Sequence, residues 1–180
     1  QVTQSLNADD FEVWYSSVLD SESLGTYNSA PEAGSSQRHK HMQLVPLKSF
    51  ENCHDFKGLL PIEKEISNHH PKDDSPFQLS IFKFKHAVTF VNKSNIYSQY
   101  IGMLKYLNFL EESHFLSKKI TPPHNVVLTS NWMMVVPRSK SSCGGVDING
   151  FGYAGSLVIG SLVKAGPMSI LRCTGVELKN

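Results

Sequence analysis

The sequence predicts an α+β domain built on a mainly antiparallel sheet with flanking helices. Helix-type and strand-type segments are mixed without the regular strand–helix–strand alternation of a doubly wound sheet. Two apolar, β-branched runs, 125–129 and 132–136, are separated only by Ser130-Asn131, which is typical of a hairpin between antiparallel strands. With 180 residues, of which 40% are hydrophobic, the chain can bury a core of its own as one domain.

Two main helices are predicted from apolar residues at helical spacing. The first begins at Asn7, which can cap it, and Asp9 and Asp10 follow where the helix dipole favours acids. Its apolar face is expected to contain Phe11, Trp14, Tyr15, Val18 and Leu19. The second begins at Ser94, which can cap it, and its apolar stripe comprises Tyr97, Tyr100, Ile101, Leu104, Leu107 and Leu110. Shorter helical segments are expected at 48–57, at 61–67 and after Pro167.

Alternating and β-branched segments predict the strands, and small polar residues predict the loops between them. Besides the hairpin, strands are expected at 24–28, 84–91 and 156–159. Loops are expected at 29–37, 67–76 and 139–155. Within the hairpin, Trp132, Met133 and Met134 are interpreted as core residues.

Composition argues against several kinds of partner. A formal net charge of +1 does not favour a protein that binds nucleic acid through its phosphate backbone. No apolar run approaches the length of about 18 residues that crosses a membrane. The cysteines Cys53, Cys143 and Cys173 form no CxxC pair, so we expect reduced thiols in a cytoplasmic protein. Because the first residue is Gln1, a natural N-terminal portion is expected to precede it.

The functional hypothesis depends on the segment His39-Lys40-His41-Met42-Gln43. In an extended strand, successive side chains alternate between the two faces. His39, His41 and Gln43 would then form a row on one face, with neighbouring Cα atoms about 6–7 Å apart. The opposite face would carry Lys40, Met42 and Leu44.

This row, beside a loop of small polar residues, suits the phosphate chain of a nucleotide. A histidine can attack phosphorus because one ring nitrogen carries a lone pair near neutral pH. The other nitrogen must donate to a fixed acceptor, often a backbone carbonyl. Charge on the phosphate oxygens requires amide and hydroxyl donors that are already in place. The candidate donors are Asn28, Ser29, Ser35, Ser36, Gln37 and Gln43, and the sequence contains no P-loop motif.

Other interpretations of these residues stay open at this point. An HxH pair on a strand can bind a metal ion, although Gln43 is a poor zinc ligand and no acid or cysteine lies close in sequence. The pair can also be two surface histidines without function, and Pro31 and Gly34 can be simple turn residues. The ordered combination of loop and row favours the phosphate site, and no protein-bound metal is expected.

The other histidines are interpreted as structural. His69 and His70, in a polar loop, are expected in solvent. His86 and His114 are expected in a strand and at a helix end.

Residues 25–46, GTYNSAPEAGSSQRHKHMQLVP, resemble the signature of the diadenosine tetraphosphate phosphorylases, also called ATP adenylyltransferases, in the histidine-triad superfamily. Two later segments, HNVVLTSNWMMVVPR (124–138) and NGFGYAG (149–155), resemble the C-terminal domain of the same family. The resemblance implies a histidine-triad-like fold and one catalytic domain over 1–180. Within it, 1–47 would be the active-site segment and 77–180 the C-terminal family segment.

The resemblance also implies a reversible adenylyl transfer. His41 would attack the α-phosphorus of diadenosine tetraphosphate and release ATP, and inorganic phosphate would then take the adenylyl group and leave as ADP. Gln43 would hold a non-bridging oxygen, at a place where related hydrolases have a histidine, and His39 would support and orient His41. The phosphate-contacting loop would include Asn28, Ser29, Ser36 and Gln37.

Cofactor and partners follow from the same resemblance. A divalent cation such as magnesium would be bound chiefly through the substrate phosphates. The partners would be diadenosine tetraphosphate, ATP, ADP and inorganic phosphate, without nucleic acid or membrane, and we expect a monomer. Two alternatives remain. One is a nucleotide-binding fragment without turnover, and the other is a relative of the hexose-1-phosphate uridylyltransferases, which also carry an HxHxQ row.

Overall fold

Antiparallel pairing joins five strands into one sheet: β1 (Ser23–Asn28), β2 (Met42–Pro46), β3 (Ala87–Phe90), β4 (His124–Leu128) and β5 (Trp132–Pro137). The strand order is β2-β1-β4-β5-β3, and every pair is antiparallel. The structure, a computed structural model, describes residues 5–50, 60–69, 75–110, 121–143 and 146–155. The predicted α+β class and the predicted hairpin, which is β4 and β5, are confirmed.

The described residues also form four α-helices: α1 (Ala8–Asp20), α2 (Glu63–Ser67), α3 (Ile96–Tyr106) and α4 (Gly150–Tyr153). Asn7 caps α1 as predicted. The Asp10 N–H donates to Asn7 Oδ1 at 2.9 Å, and the Asn7 N–H donates to Asp10 Oδ2 at 2.8 Å, which is a capping box. None of the helices in the described part of the chain combines the length and the hydropathy that crossing a membrane requires.

The start of α3 and one residue of α1 differ from the prediction. Ser94 does not cap α3, because it lies in a short 3-10 turn, Lys93–Asn95, that precedes the helix. Asn92 caps this turn, and its Oδ1 accepts from the Ser94 N–H at 3.1 Å and from the Ser94 hydroxyl at 2.8 Å. Leu19 is 38% exposed, because a residue one step after Val18 lies at the edge of the buried stripe.

The segment 139–155 is not only a loop. Two short strands, β6 (Ser142–Cys143) and β7 (Val146–Asp147), form a second small sheet, and α4 follows. Polar side chains organise this region, since Asn149 Oδ1 accepts from the Phe151 N–H at 3.1 Å and so begins α4.

Other predicted segments are shorter than expected or were placed differently. The strand predicted at 84–91 is confined to β3, and a 3-10 turn, Leu47–Phe50, occupies the start of 48–57. His69 is half-buried, because its ring stacks on Phe77 with centroids 3.8 Å apart, so it is not a solvated loop residue. Several predictions lie outside the described residues: most of 48–57, the strand at 156–159, the helix after Pro167, and His70 and His114.

The sheet separates two hydrophobic clusters. On one face, Tyr27, Val126 and Met133 pack with residues of α1 and α3. On the other face, Trp132 and Met134 pack with residues from 60–84 and 148–154. The predicted core positions of Trp132, Met133 and Met134 are therefore confirmed. The inner strands β1, β4 and β5 are buried along their whole length because both of their faces are covered.

Two buried histidines are part of this packing. The His124 ring lies between the Pro122 carbonyl, 2.7 Å from Nδ1, and the Tyr100 hydroxyl, 2.8 Å from Nε2. In His86, Nδ1 lies 2.8 Å from the Phe84 carbonyl, and Nε2 accepts from the Leu79 N–H at 2.8 Å. Burial lowers the pKa of His124 to about 4 and lowers that of His86 below its ordinary value. Both rings are therefore neutral in the folded protein near pH 7.

Acid is expected to destabilise the fold through His124. The pKa of this histidine is about 4 in the folded chain and about 6.5 when exposed. Burial of the neutral ring therefore stabilises the folded state fully above pH 6.5, and this contribution to the unfolding free energy is lost as the pH falls toward 4. At about 1.4 kcal/mol per pKa unit, lowering the pH from 7.5 to 5.0 costs roughly 2 kcal/mol of unfolding free energy. Urea unfolding of the native chain and of His124→Asn at both pH values measures this loss. An equal pH dependence in the two proteins would contradict the assignment.

Candidate active site

The alternation predicted for this segment is found at Lys40, Met42 and Gln43. Gln43 is opposite Thr26 on β1, and the Thr26 hydroxyl donates to Gln43 Oε1 across a long 3.4 Å. On the other face, Lys40 forms an ion pair with Asp10 of α1, and Met42 packs against the cluster under α1 and α3. The segment is thus held at both faces.

The strand itself is shorter than predicted, because β2 begins only at Met42. The last ladder pair is Tyr27 with Met42, after which β1 ends at Asn28 and the chain turns into the 29–37 loop. His39 and His41 therefore precede the strand, where no partner strand fixes their backbone.

His41 has the ring geometry that a nucleophilic histidine needs. Its Nδ1 lies 3.2 Å from the His39 carbonyl oxygen, so in the tautomer that carries the proton on Nδ1 this bond leaves a lone pair on Nε2. The His39 and His41 rings lie edge to face with centroids 5.7 Å apart. His41 is half-buried, and its Nε2 has no hydrogen-bond partner among the described residues.

The same ring-to-carbonyl bond, two residues back, occurs in His86 and His124. In those two residues Nε2 is also engaged, by the Leu79 N–H and by the Tyr100 hydroxyl respectively. His41 differs from them because no described residue bonds to its second nitrogen, and because it is half-buried where they are buried.

The predicted loop donors lie at the start of the same region, but in different settings. Ser29 is tied to β4, because its N–H donates to the His124 carbonyl at 3.0 Å and its hydroxyl oxygen accepts from the His124 N–H at 2.8 Å. The Ser35 hydroxyl donates to the Gln37 carbonyl at 3.2 Å. Ser36 and Gln37 are exposed. The Ser29 hydroxyl only accepts a hydrogen bond in this structure and can still donate its proton to a ligand, whereas the Ser35 hydroxyl already donates within the loop.

Pro31 and Gly34 are turn residues, as one of the open interpretations held. Pro31–Ala33 is a 3-10 turn, and the Gly34 N–H donates to the Pro31 carbonyl at 2.9 Å. Gly34 has φ +84°, in the left-handed region that favours glycine. The turn directs the chain from β1 toward the row.

Asn28 is the most constrained of the predicted donors, and it is 4% exposed. Its Oδ1 accepts from Asn125 Nδ2 at 2.6 Å and from the Gly150 N–H at 3.1 Å. Asn125 Nδ2 also donates to the Ala33 carbonyl at 2.7 Å. One buried side chain of β4 thus joins the end of β1 to the 29–37 loop.

Arg138 completes this arrangement from the far side of Asn125. One guanidinium nitrogen donates to Asn125 Oδ1 at 2.7 Å and to the Ile148 carbonyl at 2.8 Å, and the other donates to the Lys140 carbonyl at 2.7 Å. The guanidinium carbon lies 5.5 Å from the centre of the Tyr153 ring. Burial lowers the pKa of Arg138 below its ordinary value, and burial raises the pKa of Tyr153.

Asn125, Arg138 and Gly150 were not predicted as site residues. The available signal was a polar Asn125 at the start of an otherwise apolar strand, since buried polar side chains need partners. The partners themselves lie 97, 92 and 13 residues away in sequence, so no local pattern reveals them.

The metal interpretation of the HxH pair gains no support. Among the residues that the structure describes, no group of three or more histidine, cysteine, aspartate or glutamate side chains could hold a metal ion. His39 and His41 have no third ligand of these types in the described chain.

Comparisons with known proteins place these features in context. Residues 73–177 match the model of the ATP adenylyltransferase C-terminal domain, and residues 1–68 match that of the Ap4A phosphorylase N-terminal domain. Among curated proteins of Saccharomyces cerevisiae, diadenosine 5',5'''-P1,P4-tetraphosphate phosphorylase 2 is 29% identical over 143 residues, which cover 74% of this chain and 43% of that protein. Protein APA1 is 28% identical, covering 73% of this chain and 43% of its own.

Solved structures agree with these matches. The crystal structure of yeast Ap4A phosphorylase Apa2 has a TM-score of 0.65 and 26% identity, covering 87% of this chain and 55% of that one. The complex of Apa2 with Ap4A has a TM-score of 0.63 and 23% identity, covering 89% and 58%. The histidine-triad-like fold is thereby confirmed. The chain spans less than half the length of the curated relatives that it matches.

Gly150→Ala is expected to destabilise the chain by about 1–3 kcal/mol, the usual cost of overpacking. A Cβ at this position would lie 2.9 Å from Thr26 Cβ, closer than real Cβ contacts allow. Gly102→Ala is the matched control, because a Cβ there meets nothing within 4 Å and alanine favours the helix by up to about 1 kcal/mol. Urea unfolding measures both, and equal stabilities of the two variants would refute the close approach.

Proposed function

This chain belongs to the family of the Ap4A phosphorylases and ATP adenylyltransferases, as predicted, and we propose that it transfers an adenylyl group through His41. The reaction is the phosphorolysis of diadenosine 5',5'''-tetraphosphate to ATP and ADP, and it is reversible. Support comes from the names of the relatives, from the Ap4A bound in the yeast neighbour, and above all from the geometry of His41.

In the first step, the lone pair on His41 Nε2 attacks the α-phosphorus of diadenosine tetraphosphate. The nitrogen–phosphorus bond forms while the bond from phosphorus to the bridging oxygen breaks, and ATP leaves with that electron pair. In the second step, an oxygen of inorganic phosphate attacks the same phosphorus, and His41 leaves, so the product is ADP. The covalent intermediate divides one displacement into two easier ones.

The His39 carbonyl has a defined part in this sequence. As Nε2 bonds to phosphorus, the imidazole gains positive charge, and the hydrogen bond from Nδ1 to the carbonyl at 3.2 Å stabilises that charge. The bond also keeps the proton on Nδ1, so the attacking nitrogen is free. His39 supports the His41 ring through edge-to-face contact.

The predicted donors can bind the charge on the phosphate oxygens. Gln43 has its oxygen occupied by Thr26, which leaves its amino group for a non-bridging oxygen. Ser29 can donate its hydroxyl proton, while Ser36 and Gln37 are exposed at the loop and can contact the phosphate chain. Because Gln43 neither gives nor takes a proton, it favours inorganic phosphate over water as acceptor.

Magnesium is proposed to enter with the substrate. The described residues contain no cluster of acidic, histidine or cysteine ligands, so we assign no protein-bound metal site and derive no step through the ion. Magnesium bound to the phosphate chain would neutralise part of its charge. We also propose that the protein acts as a monomer in the cytoplasm, on nucleotides and inorganic phosphate.

Covalent trapping tests the central step. Diadenosine tetraphosphate labelled in the adenylyl group, mixed with the protein without phosphate, should leave label bound after denaturation. His41→Ala should lose the label and at least about 10³-fold of turnover, because the nucleophile is gone. Its affinity for AMP should stay within about tenfold, since nucleophile loss acts on the chemical step more than on ground-state binding.

His69→Ala is the matched control, because it removes a histidine that stacks on Phe77 and should keep both label and turnover. Label retained by His41→Ala, or unchanged turnover, would refute the nucleophile. Reversible binding without turnover would identify a nucleotide-binding module. Exchange between UDP-glucose and hexose 1-phosphate would instead identify a uridylyltransferase.

The magnesium proposal has its own measurement. Removing divalent cations with EDTA should lower turnover at least tenfold, and added magnesium should restore it. Calorimetric titration of magnesium into the nucleotide-free protein should show no binding with a Kd below 1 mM. Tight binding to the free protein would contradict the view that the ion arrives on the phosphates.

A further inference from the structure

The buried side chains around Asn28 carry a role that the transfer reaction does not by itself explain. We infer that Asn125, held by Arg138, is a positioning residue that fixes the Asn28 carboxamide with its amino group toward the substrate phosphates. This inference rests on the proposed function, because it concerns the donors that bind the phosphate chain.

The orientation of both carboxamides is determined by groups whose roles are unambiguous. The Gly150 backbone N–H can only donate, so the Asn28 atom 3.1 Å from it must be the oxygen. The Ala33 carbonyl can only accept, so the Asn125 atom at 2.7 Å must be the nitrogen. The Arg138 guanidinium can only donate, and it meets the Asn125 oxygen at 2.7 Å. The remaining bond, from Asn125 Nδ2 to Asn28 Oδ1 at 2.6 Å, agrees with all three.

This arrangement leaves both N–H donors of the Asn28 amino group unused. Oδ1 already has two donors, while Nδ2 has no hydrogen-bond partner among the described residues. The only fully buried side-chain nitrogen or oxygen without a partner in that part of the chain is Trp14 Nε1, so Asn28 Nδ2 keeps some exposed surface. The free amino group can therefore donate to a ligand.

The amino group lies on the side of the sheet that carries the histidine row. Thr26 contacts Gln43 on this face, and Asn28 and His41 are the next residues along each segment that point the same way. The ladder ends at the pair of Tyr27 and Met42, and Asn28 and His41 are the next residue on each of the two segments.

The bonds form a chain of donors that begins at a half-buried cation. Arg138 donates to Asn125, Asn125 donates to Asn28, and Asn28 has a proton left for the phosphate. Hydrogen bonds in such a chain polarise one another, so the final donor is strengthened. A flipped Asn28 would turn its amino group against the Gly150 N–H and the Asn125 amino group, and would present an oxygen to the phosphate. Asn125, with the shorter of the two bonds, acts together with the Gly150 N–H to prevent that flip.

Three substitutions to aspartate test the inference with the whole chain. Asn28→Asp keeps an oxygen for Asn125 and Gly150 but replaces the amino group with an oxygen. Asn125→Asp places an oxygen against Asn28 Oδ1 and the Ala33 carbonyl, so Asn28 must turn. Asn149→Asp is the matched control, because it adds the same charge next to Gly150 and keeps the oxygen that caps α4.

The measurement is the ratio of the inhibition constants of AMP and adenosine against diadenosine tetraphosphate turnover. We expect Asn28→Asp and Asn125→Asp to weaken inhibition by AMP at least tenfold relative to inhibition by adenosine. We expect Asn149→Asp to change the ratio of the two inhibition constants less than threefold. If Asn125 had a merely structural role, its substitution would weaken inhibition by AMP and by adenosine equally. If Asn125→Asp does not fold, Asn125→Ser, which cannot reach Asn28, replaces it.

The outcomes separate the two claims. If the Asn125 variant has the same ratio of AMP to adenosine inhibition constants as Asn149→Asp, the positioning role is overturned. The proposed function is then still supported by turnover of the dinucleotide by the native chain. An unchanged ratio in Asn28→Asp would also overturn the inference, because the amino group would then not face the phosphate. Failure of the native chain both to bind AMP and to turn over the dinucleotide would overturn the proposed function and the inference with it.

Discussion

The side chain of Asn125 is the contact on which the geometry of the site depends. It is fully buried on β4, and its carboxamide bonds to Asn28, to the Ala33 carbonyl and to Arg138. These partners belong to three different segments: the end of β1, the loop before the histidine row, and the residues after β5. Because buried polar groups are costly when their bonds are not made, the Asn125 carboxamide favours the arrangement that brings these three segments together.

The sequence was sufficient to predict the row itself, because alternation along an extended segment is a local property. It placed Gln43 on one face and Lys40 and Met42 on the other, as the structure does. The ends of the elements are harder to predict from local sequence. It extended the strand back to His39, although β1 offers no partner beyond Tyr27, and it assigned the capping of α3 to Ser94 instead of a preceding turn.

The second half of the site could not be predicted in the same way. Asn28 was chosen from the loop sequence, but its oxygen is bound by groups 97 and 122 residues away. Such contacts arise from the order of strands in the sheet, which local patterns leave undetermined. Local sequence also cannot distinguish the histidines from one another. In each of His41, His86 and His124, ring Nδ1 bonds to the carbonyl oxygen two residues earlier, and the three differ only in what surrounds Nε2. Burial, which belongs to the tertiary structure, separates packing histidines from the reactive candidate.

The order of strands has a consequence for how the chain can be divided. The region that matches the N-terminal family model supplies β2 and β1, the C-terminal one supplies β4, β5 and β3, and the two meet where β1 pairs with β4. Cutting the chain between residues 68 and 73 would expose the backbone donors and acceptors of that junction on both pieces, and unpaired strand edges favour aggregation. The two matched regions therefore share one sheet, and each completes the hydrogen bonding of a strand that the other would leave unpaired.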